Sequence, residues 1–230
     1  MQSVELNLPN GAKLTGIHNI PPASTSPLIY RPLVVSLHGS TYDCHHFDAN
    51  GTHSASIMSI ALGVFFVAID RPGFSGTSSF PSIPESSGFF QETGSWLHDY
   101  ILPALWTDFG VHNGCNCAVL LCHSLGAMGG IVAAALHNQD TKQNKTPSYP
   151  LGGIIVSGIG EQLLPEMKDS PVPYDLNNLC THVSFPLETK DSLVFRPGTI
   201  QPEILRESGR LNTPTPLEDI ESLRNGWVGR

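Results

Sequence analysis

The sequence predicts an α/β fold in which a mostly parallel sheet is flanked by helices. Short apolar runs alternate with helical segments between residues 32 and 157. This alternation is typical of parallel sheets, because each strand needs a crossover helix before the next one. A second observation is the strand, tight turn and helix predicted around Ser124. Functional groups in such sheets lie beyond the carboxyl ends of the strands, where we expect the site.

The first predicted element is a β-hairpin at the N-terminus. Residues 4–8 and 13–17 alternate apolar and polar side chains, and residues 9–11 (PNG) between them have turn chemistry. A loop rich in proline and serine covers residues 20–31. The apolar run at 32–37 that follows is typical of a strand buried on both faces.

The same alternation continues towards the middle of the chain. A short helix is predicted at residues 54–62, and a buried strand at 64–69. Apolar and aromatic residues then recur at i+4 from Trp96 to Leu105, which indicates an amphipathic helix with Pro103 as a candidate kink. The last predicted strand of the sheet covers residues 153–157.

The character of the chain changes after residue 160. Residues 161–230 contain eight prolines and only short, weakly periodic segments. We therefore divide the chain into a core at 1–160 and an irregular, mostly helical lid at 161–230. Short helices are expected within the lid at 163–167, 202–208 and 217–223.

Composition excludes several classes of function. A net charge of −8 and a pI near 5.6 argue against nucleic acid or an anionic membrane as a partner. No stretch approaches the length of a membrane span, and the N-terminus lacks the pattern of a signal peptide. The five cysteines show no framework spacing, so we expect reduced thiols and a cytoplasmic protein.

The most informative stretch places a serine on a tight turn. Four apolar residues, 118–121, run directly into the motif 122–127 (CHSLGA), and small or aliphatic residues follow. This order predicts the nucleophile elbow of serine hydrolases, in which Ser124 is held out at the end of a strand. Backbones nearly touch at such a turn. Gly126 satisfies that requirement, and Cys122 is a small residue where glycine is usual.

Three motifs together resemble the α/β-hydrolase superfamily. They are a strand ending in His38-Gly39-Ser40, the stretch 70–76 (DRPGFSG), and the serine motif 122–127. The resemblance covers roughly residues 4–160. The lid segment is loosely similar to those of microbial and fungal hydrolases, including enzymes of secondary-metabolite clusters.

The resemblance implies roles for individual residues. Ser124 would attack an acyl carbonyl, and the backbone N–H groups of Ser40 and Leu125 would bind the developing oxyanion. A second set would hold the loops of the site in place: His38, Gly39, Asp70 and Gly126.

We expect no cofactor and no metal. Cysteine and histidine cluster at residues 44–46, and two more cysteines lie at 115 and 117, but neither group has the paired spacing of a zinc site.

The acid and base that should complete the mechanism are harder to find. In the family they follow the serine in the order acid, then histidine, yet His182 is the last histidine of the sequence. Three interpretations stay open. The chain lacks the C-terminal part of the family fold, or it is an inactive protein that binds a ligand in the old pocket. Otherwise it is an enzyme with an unusual triad, using Glu161 as acid and His182 as base.

The expected activity is hydrolysis of an ester, thioester or related acyl bond in a small apolar molecule. The alternative is a protein of the same fold that binds a small ligand without turnover. Besides a small-molecule substrate, the other expected partner is a second copy of the chain. An exposed apolar sheet edge would carry this self-association.

Overall fold

A six-stranded mixed sheet forms the centre of the computed structural model, which describes residues 1–22, 30–159, 181–195 and 198–224. The strands run in the spatial order β1-β2-β6-β3-β7-β8. Two short ribbons lie outside this sheet, β4 with β5 and β9 with β10. The strands are β1 (Gln2–Asn7), β2 (Lys13–Asn19), β3 (Pro32–Leu37), β4 (Asp48–Asn50), β5 (His53–Ser54), β6 (Phe65–Ile69), β7 (Cys117–His123), β8 (Leu151–Ser157), β9 (His182–Val183) and β10 (Thr215–Pro216).

Helices cover the sheet and make up most of the described C-terminal segment. They are α1 (Ala55–Leu62), α2 (Phe89–Trp96), α3 (Leu102–Leu105), α4 (Gly126–Lys142), α5 (Leu187–Val194), α6 (Pro202–Arg210) and α7 (Leu217–Arg224). Among the described helices, none combines the length and apolar composition that crossing a bilayer requires.

The predicted α/β architecture is confirmed. β1 and β2 form the expected antiparallel hairpin, and β2 pairs antiparallel with β6. From β6 onwards the pairs β6–β3, β3–β7 and β7–β8 are all parallel. All five residues of β6 are buried, as the continuous apolar run predicts for a strand covered on both faces.

The helix with the candidate kink at Pro103 departs from regular α geometry on both sides of that residue. A π-helical turn at Leu97–Ile101 precedes α3, and a second at Trp106–Val111 follows it. Proline has no backbone N–H, so it cannot complete the regular ladder, and π turns are one way for a helix to absorb the defect. The apolar face of this helix still packs on the sheet through Leu97 and Leu105.

The described part of the C-terminal segment is mostly helical, with the short strands β9 and β10 between its helices. Helices were expected at 202–208 and 217–223, and α6 and α7 confirm them. The helix expected at 163–167 lies outside the described residues. Val183, Phe185 and Ile220 form a small apolar cluster of their own between β9 and α7.

Candidate active site

Ser124 occupies the sharp turn between β7 and α4. Its φ is +50°, a left-handed conformation that costs a non-glycine residue about 1–3 kcal/mol. Two hydrogen bonds fix the turn: the Ser124 N–H donates to the Ser157 carbonyl at 2.8 Å, and the Ser124 carbonyl accepts from Ala127 N–H at 2.9 Å. The turn therefore has the strained geometry of a nucleophile elbow.

The elbow is packed so closely that Gly126 has no room for a side chain. A Cβ there would lie 2.5 Å from the His38 carbonyl oxygen and 2.7 Å from that of Leu37. α4 therefore starts in direct contact with the end of β3. This close approach joins the serine turn to the His38-Gly39-Ser40 loop.

Cys122 replaces the usual glycine because α4 makes space for its sulfur. A Cβ at Gly130 would overlap with Cys122 Sγ, so the thiol fills the gap left by that glycine. Cys122 is fully buried, and burial raises the pKa of its thiol to about 12. The thiol therefore stays protonated and does not compete with Ser124 as a nucleophile.

Gly39 faces Ser124 directly. A Cβ at Gly39 would lie 2.9 Å from Ser124 Cβ and 3.3 Å from Ser124 Oγ. The next residue, Ser40, and Leu125 after the serine supply the two backbone N–H groups expected to bind an oxyanion. Among the described residues, neither N–H has a hydrogen-bond acceptor. Within that part of the chain, both N–H groups are available for a hydrogen bond to a ligand.

His38 is buried, and both of its ring nitrogens are engaged. Arg71 N–H donates to His38 Nε2 at 3.1 Å, so Nδ1 carries the proton and donates to the Gly39 carbonyl at 2.7 Å. Burial, and then the Arg71 guanidinium, hold the pKa of His38 well below its usual range. The ring is neutral and connects the Gly39 loop to the loop after β6.

Asp70 ties the end of β6 to two other segments. One carboxylate oxygen accepts from Thr15 Oγ1 at 2.6 Å, and the other accepts from Cys44 N–H at 2.9 Å. Asp70 is almost completely buried. Both oxygens are used in holding the loops, so the carboxylate is poorly placed to transfer protons.

Arg71 and Asp219 form a buried ion pair beneath the site. Two guanidinium nitrogens donate to the two Asp219 oxygens at 2.8 and 3.1 Å, and neither residue is exposed. Asp219 also accepts from Ser40 Oγ at 2.5 Å. Helix α7 is therefore bonded directly to the loop that faces Ser124.

Two histidines stack beside the elbow. The rings of His46 and His123 lie 4.6 Å apart at 20°, and His123 Nδ1 is 3.1 Å from Ser157 Oγ. Burial lowers the pKa of both rings, and burial together with the nearby His123 and Lys190 brings the pKa of His46 to about 4. Both rings are neutral at pH 7, and they form a flat wall next to Gly39.

Lys190 of α5 is a buried cation close to the same loop. Its Nζ donates to the Ser208 carbonyl at 2.7 Å and to the Thr41 carbonyl at 3.4 Å, and it lies 3.9 Å from the centre of the Tyr42 ring. Burial lowers the pKa of Lys190 to about 8. The ammonium group therefore joins α5 and α6 to the segment after Ser40.

The predicted acid and base are not brought to the serine by the described contacts. Glu161 lies outside the described residues. His182 Nε2 is 2.8 Å from the Gly73 carbonyl, and its Nδ1 is 3.0 Å from Thr181 Oγ1, so both nitrogens are occupied elsewhere. Within the described ranges, no side chain forms a hydrogen bond with Ser124 Oγ.

One group of potential metal ligands lies near the site, formed by Asp43, Cys44 and His45. Asp43 Oδ1 already accepts from the His45 N–H at 2.9 Å. Burial raises the pKa of the Cys44 thiol. Asp43 and His45 are bonded to each other, and we assign no metal to this group.

Sequence reasoning missed Arg71, Lys190 and Asp219. Arg71 carried a usable signal, because an arginine between a buried strand and a tight turn needs a carboxylate partner once it is buried. The partner is 148 residues away in the sequence, and no local pattern distinguishes Asp219 from the other acidic residues of its helix. Lys190 lies in a polar run that gives no indication of burial.

Comparison with known proteins agrees with the fold. A family model described as "Alpha/beta hydrolase family" matches residues 34–221. This match gives no support to the expectation that the C-terminal part of the family fold is missing. No curated protein sequence matches the chain.

Several solved structures are similar to the chain at low sequence identity. An N-acyl homoserine lactonase, AidH, in complex with N-hexanoyl homoserine, is 14% identical with a TM-score of 0.52; the match covers 98% of this chain and 70% of that one. Its complex with N-butanoyl homoserine is 14% identical with a TM-score of 0.50, covering 92% and 65%. A thermophilic esterase from Thermogutta terrifontis is 16% identical with a TM-score of 0.49, covering 96% and 70%.

Proposed function

This chain belongs to the alpha/beta hydrolase family, and we propose that it is a serine hydrolase of ester, thioester or related acyl bonds in small apolar molecules. The observation that carries the proposal is the direct approach of Gly39 to Ser124. A Cβ at Gly39 would lie 3.3 Å from the serine oxygen, so the loop with the Ser40 N–H borders the nucleophile.

The proposed reaction has two steps. Ser124 Oγ attacks the acyl carbonyl carbon, its proton passes to a base, and the carbonyl oxygen becomes an oxyanion beside Ser40 and Leu125. The alcohol or thiol leaves with a proton as the carbonyl reforms, and water then hydrolyses the acyl-enzyme. One preorganised N–H donor in such a hole is typically worth about 3–4 kcal/mol in the transition state.

Glu161 and His182 stay the candidates for acid and base. To act as the base, His182 must break its hydrogen bond with the Gly73 carbonyl and form one with Ser124 Oγ. His182→Gln would then abolish the reaction of Ser124, whereas His53→Gln, at an exposed histidine in β5, would leave it unchanged. If His182→Gln reacts at the wild-type rate, His182 is not the base.

A fluorophosphonate probe tests the proposed function, because it phosphonylates only an activated serine. We expect one adduct on the peptide containing Ser124 and none in Ser124→Ala. A folded protein that acquires no adduct, under conditions that label a reference serine hydrolase, would contradict the proposal.

One observation favours a second candidate, a protein that binds a small ligand without turnover. In the part of the chain that the structure describes, no histidine reaches Ser124 Oγ. A binding protein would show saturable binding of an acyl compound with no release of product and no probe adduct. The further prediction of a place in secondary metabolism rests only on the loose similarity of the C-terminal segment and stays a prediction, as does a cytoplasmic location.

A further inference from the structure

We propose that Asp219 is a positioning residue for the oxyanion loop, by which we mean residues 38–41. It acts through the side chain of Ser40. This inference rests on the proposed function, since it assigns a role in the same site. Asp219 is fully buried in α7 and accepts three hydrogen bonds, one from Ser40 and two from Arg71. It lies 179 residues after Ser40 in the sequence.

The hydroxyl and the backbone N–H of Ser40 are used differently. Its side-chain hydroxyl donates to Asp219 Oδ2 at 2.5 Å. Its backbone N–H has no acceptor among the described residues and follows Gly39, which touches Ser124. A hydrogen bond to a charged acceptor is short and directional, so it restricts the rotation of Ser40 and with it the direction of the N–H.

The backbone after Ser40 needs such restraint. Thr41 has φ +65°, which is rare for a β-branched residue and persists only where the surroundings enforce it. Thr41 N–H donates to Thr215 Oγ1 at 3.0 Å, and the Thr41 carbonyl accepts from Thr213 N–H at 2.8 Å. The segment from Thr213 to Asp219 therefore holds the loop at three points.

Arg71 fixes the direction of the carboxylate. Its bidentate contact leaves Asp219 one orientation, and its own backbone N–H holds His38, which holds the Gly39 carbonyl. Arg71 also stacks over Phe74 at 4.4 Å. The segment at 213–219 is thus a support for the oxyanion loop, in addition to any function as a lid.

A purely structural ion pair would behave differently. If Asp219 serves only to neutralise Arg71, deletion of the Ser40 hydroxyl should change neither the loop nor the reaction, since the Arg71–Asp219 contacts remain. If Asp219 positions the loop, Ser40→Ala should loosen residues 38–44 while the fold stays intact. Ser40→Ala keeps the backbone N–H and therefore isolates the side-chain contact.

The matched control is Ser87→Ala. Ser87 Oγ donates to Glu92 Oε1 at 2.5 Å, the same type and length of bond, in the loop before α2. Amide hydrogen exchange is measured over residues 38–44, together with the rate of fluorophosphonate labelling and the unfolding midpoint. The Thr41 amide, bonded to Thr215, is the most direct reporter.

We expect Ser40→Ala to raise the exchange rate over 38–44 by about tenfold, the effect of losing one hydrogen bond to a charged group. Labelling should slow by a similar factor, with kcat lowered and KM unchanged for an ester substrate. Unchanged exchange over 38–44 relative to Ser87→Ala would overturn the inference. If wild-type protein is not labelled, the proposed function fails, and the exchange experiment still decides whether Asp219 positions the loop.

Discussion

Gly39→Ala is the perturbation whose effect follows most directly from the structure. The added Cβ would lie 2.9 Å from Ser124 Cβ, whereas nonbonded carbon atoms prefer a separation of about 3.5–4.0 Å. The Gly39 loop and Ser124 must therefore separate by roughly 0.6–1.1 Å. Gly39 is not in the left-handed region, so the substitution adds a steric effect without backbone strain.

A displacement of this size is large for a catalytic site. A misplacement of about 1 Å can reduce a rate by roughly a hundredfold. Two factors of ten correspond to about 2.7 kcal/mol in activation free energy. We therefore expect the second-order rate of fluorophosphonate labelling to fall by about a hundredfold in Gly39→Ala, which is close to the loss of one oxyanion donor.

Gly51→Ala is the matched control. It is also a loop glycine without a positive φ, and a Cβ there would meet nothing within 4 Å. Its labelling rate should stay at the wild-type value. The denaturation midpoints of both variants show whether the fold is retained. A Gly39→Ala protein that is folded and labelled within threefold of wild type would refute the proposed contact between the oxyanion loop and the nucleophile.

Three further perturbations test the surroundings of the site. Gly130→Ala should lower the free energy of unfolding by about 1–3 kcal/mol, because the added methyl group overpacks against Cys122 Sγ. In a Cys122→Ala background the same substitution should lower it by less. If urea titrations give the same decrease in both backgrounds, the contact is contradicted. Lys190 has a folded pKa of about 8 and an unfolded pKa of about 10.4, so between these values the unfolded chain binds more protons and stability rises with pH. Lys190→Met should remove that rise. If the urea midpoints of the wild type and Lys190→Met change in parallel from pH 8 to 10, Lys190 is not the cause of the rise. Ile155 is 53% exposed on β8, one of the two outer strands of the described sheet, so Ile155→Lys should reduce self-association in sedimentation velocity, provided that the wild-type protein associates. A monomeric wild-type protein would show the prediction of self-association to be wrong.

The sheet could be predicted because its strands are marked by local composition. The runs at 32–37 and 64–69 are apolar on both faces, which few structures other than buried parallel strands require. The turn at Ser124 could also be predicted, because small residues must flank such a turn. Even Cys122 follows from close packing, once Gly130 is seen to accept its sulfur.

The support of the oxyanion loop could not be predicted, because its parts are distant in the sequence. Ser40 and Asp219 are in contact because α7 packs beside the loop that follows β6. No periodicity marks an acidic residue of a short amphipathic helix as buried. The positive φ of Thr41 was likewise hidden, since a threonine gives no indication of a left-handed conformation.

Buried charges hold part of the C-terminal segment against the core. The prolines and weak periodicity of residues 161–230 indicate a lid, and this assignment stays a prediction. The described residues of the segment include two buried charges, Lys190 and Asp219, that bond to the loop after β3. A segment held by buried charge-assisted bonds moves only when those bonds break. We therefore expect slow amide exchange at Thr213 and Leu217, whose N–H groups donate to the carbonyls of Thr41 and Thr181.

Trapping an acyl-enzyme tests most directly whether Ser124 is a working nucleophile. The protein is mixed with p-nitrophenyl butyrate, quenched in acid, and analysed by intact mass and peptide mapping. We expect a burst of nitrophenol, and a butyryl group on the peptide containing Ser124 that is absent in Ser124→Ala. Nitrophenol release at the same rate in wild type and Ser124→Ala, with no acyl group on either protein, would contradict a nucleophilic Ser124.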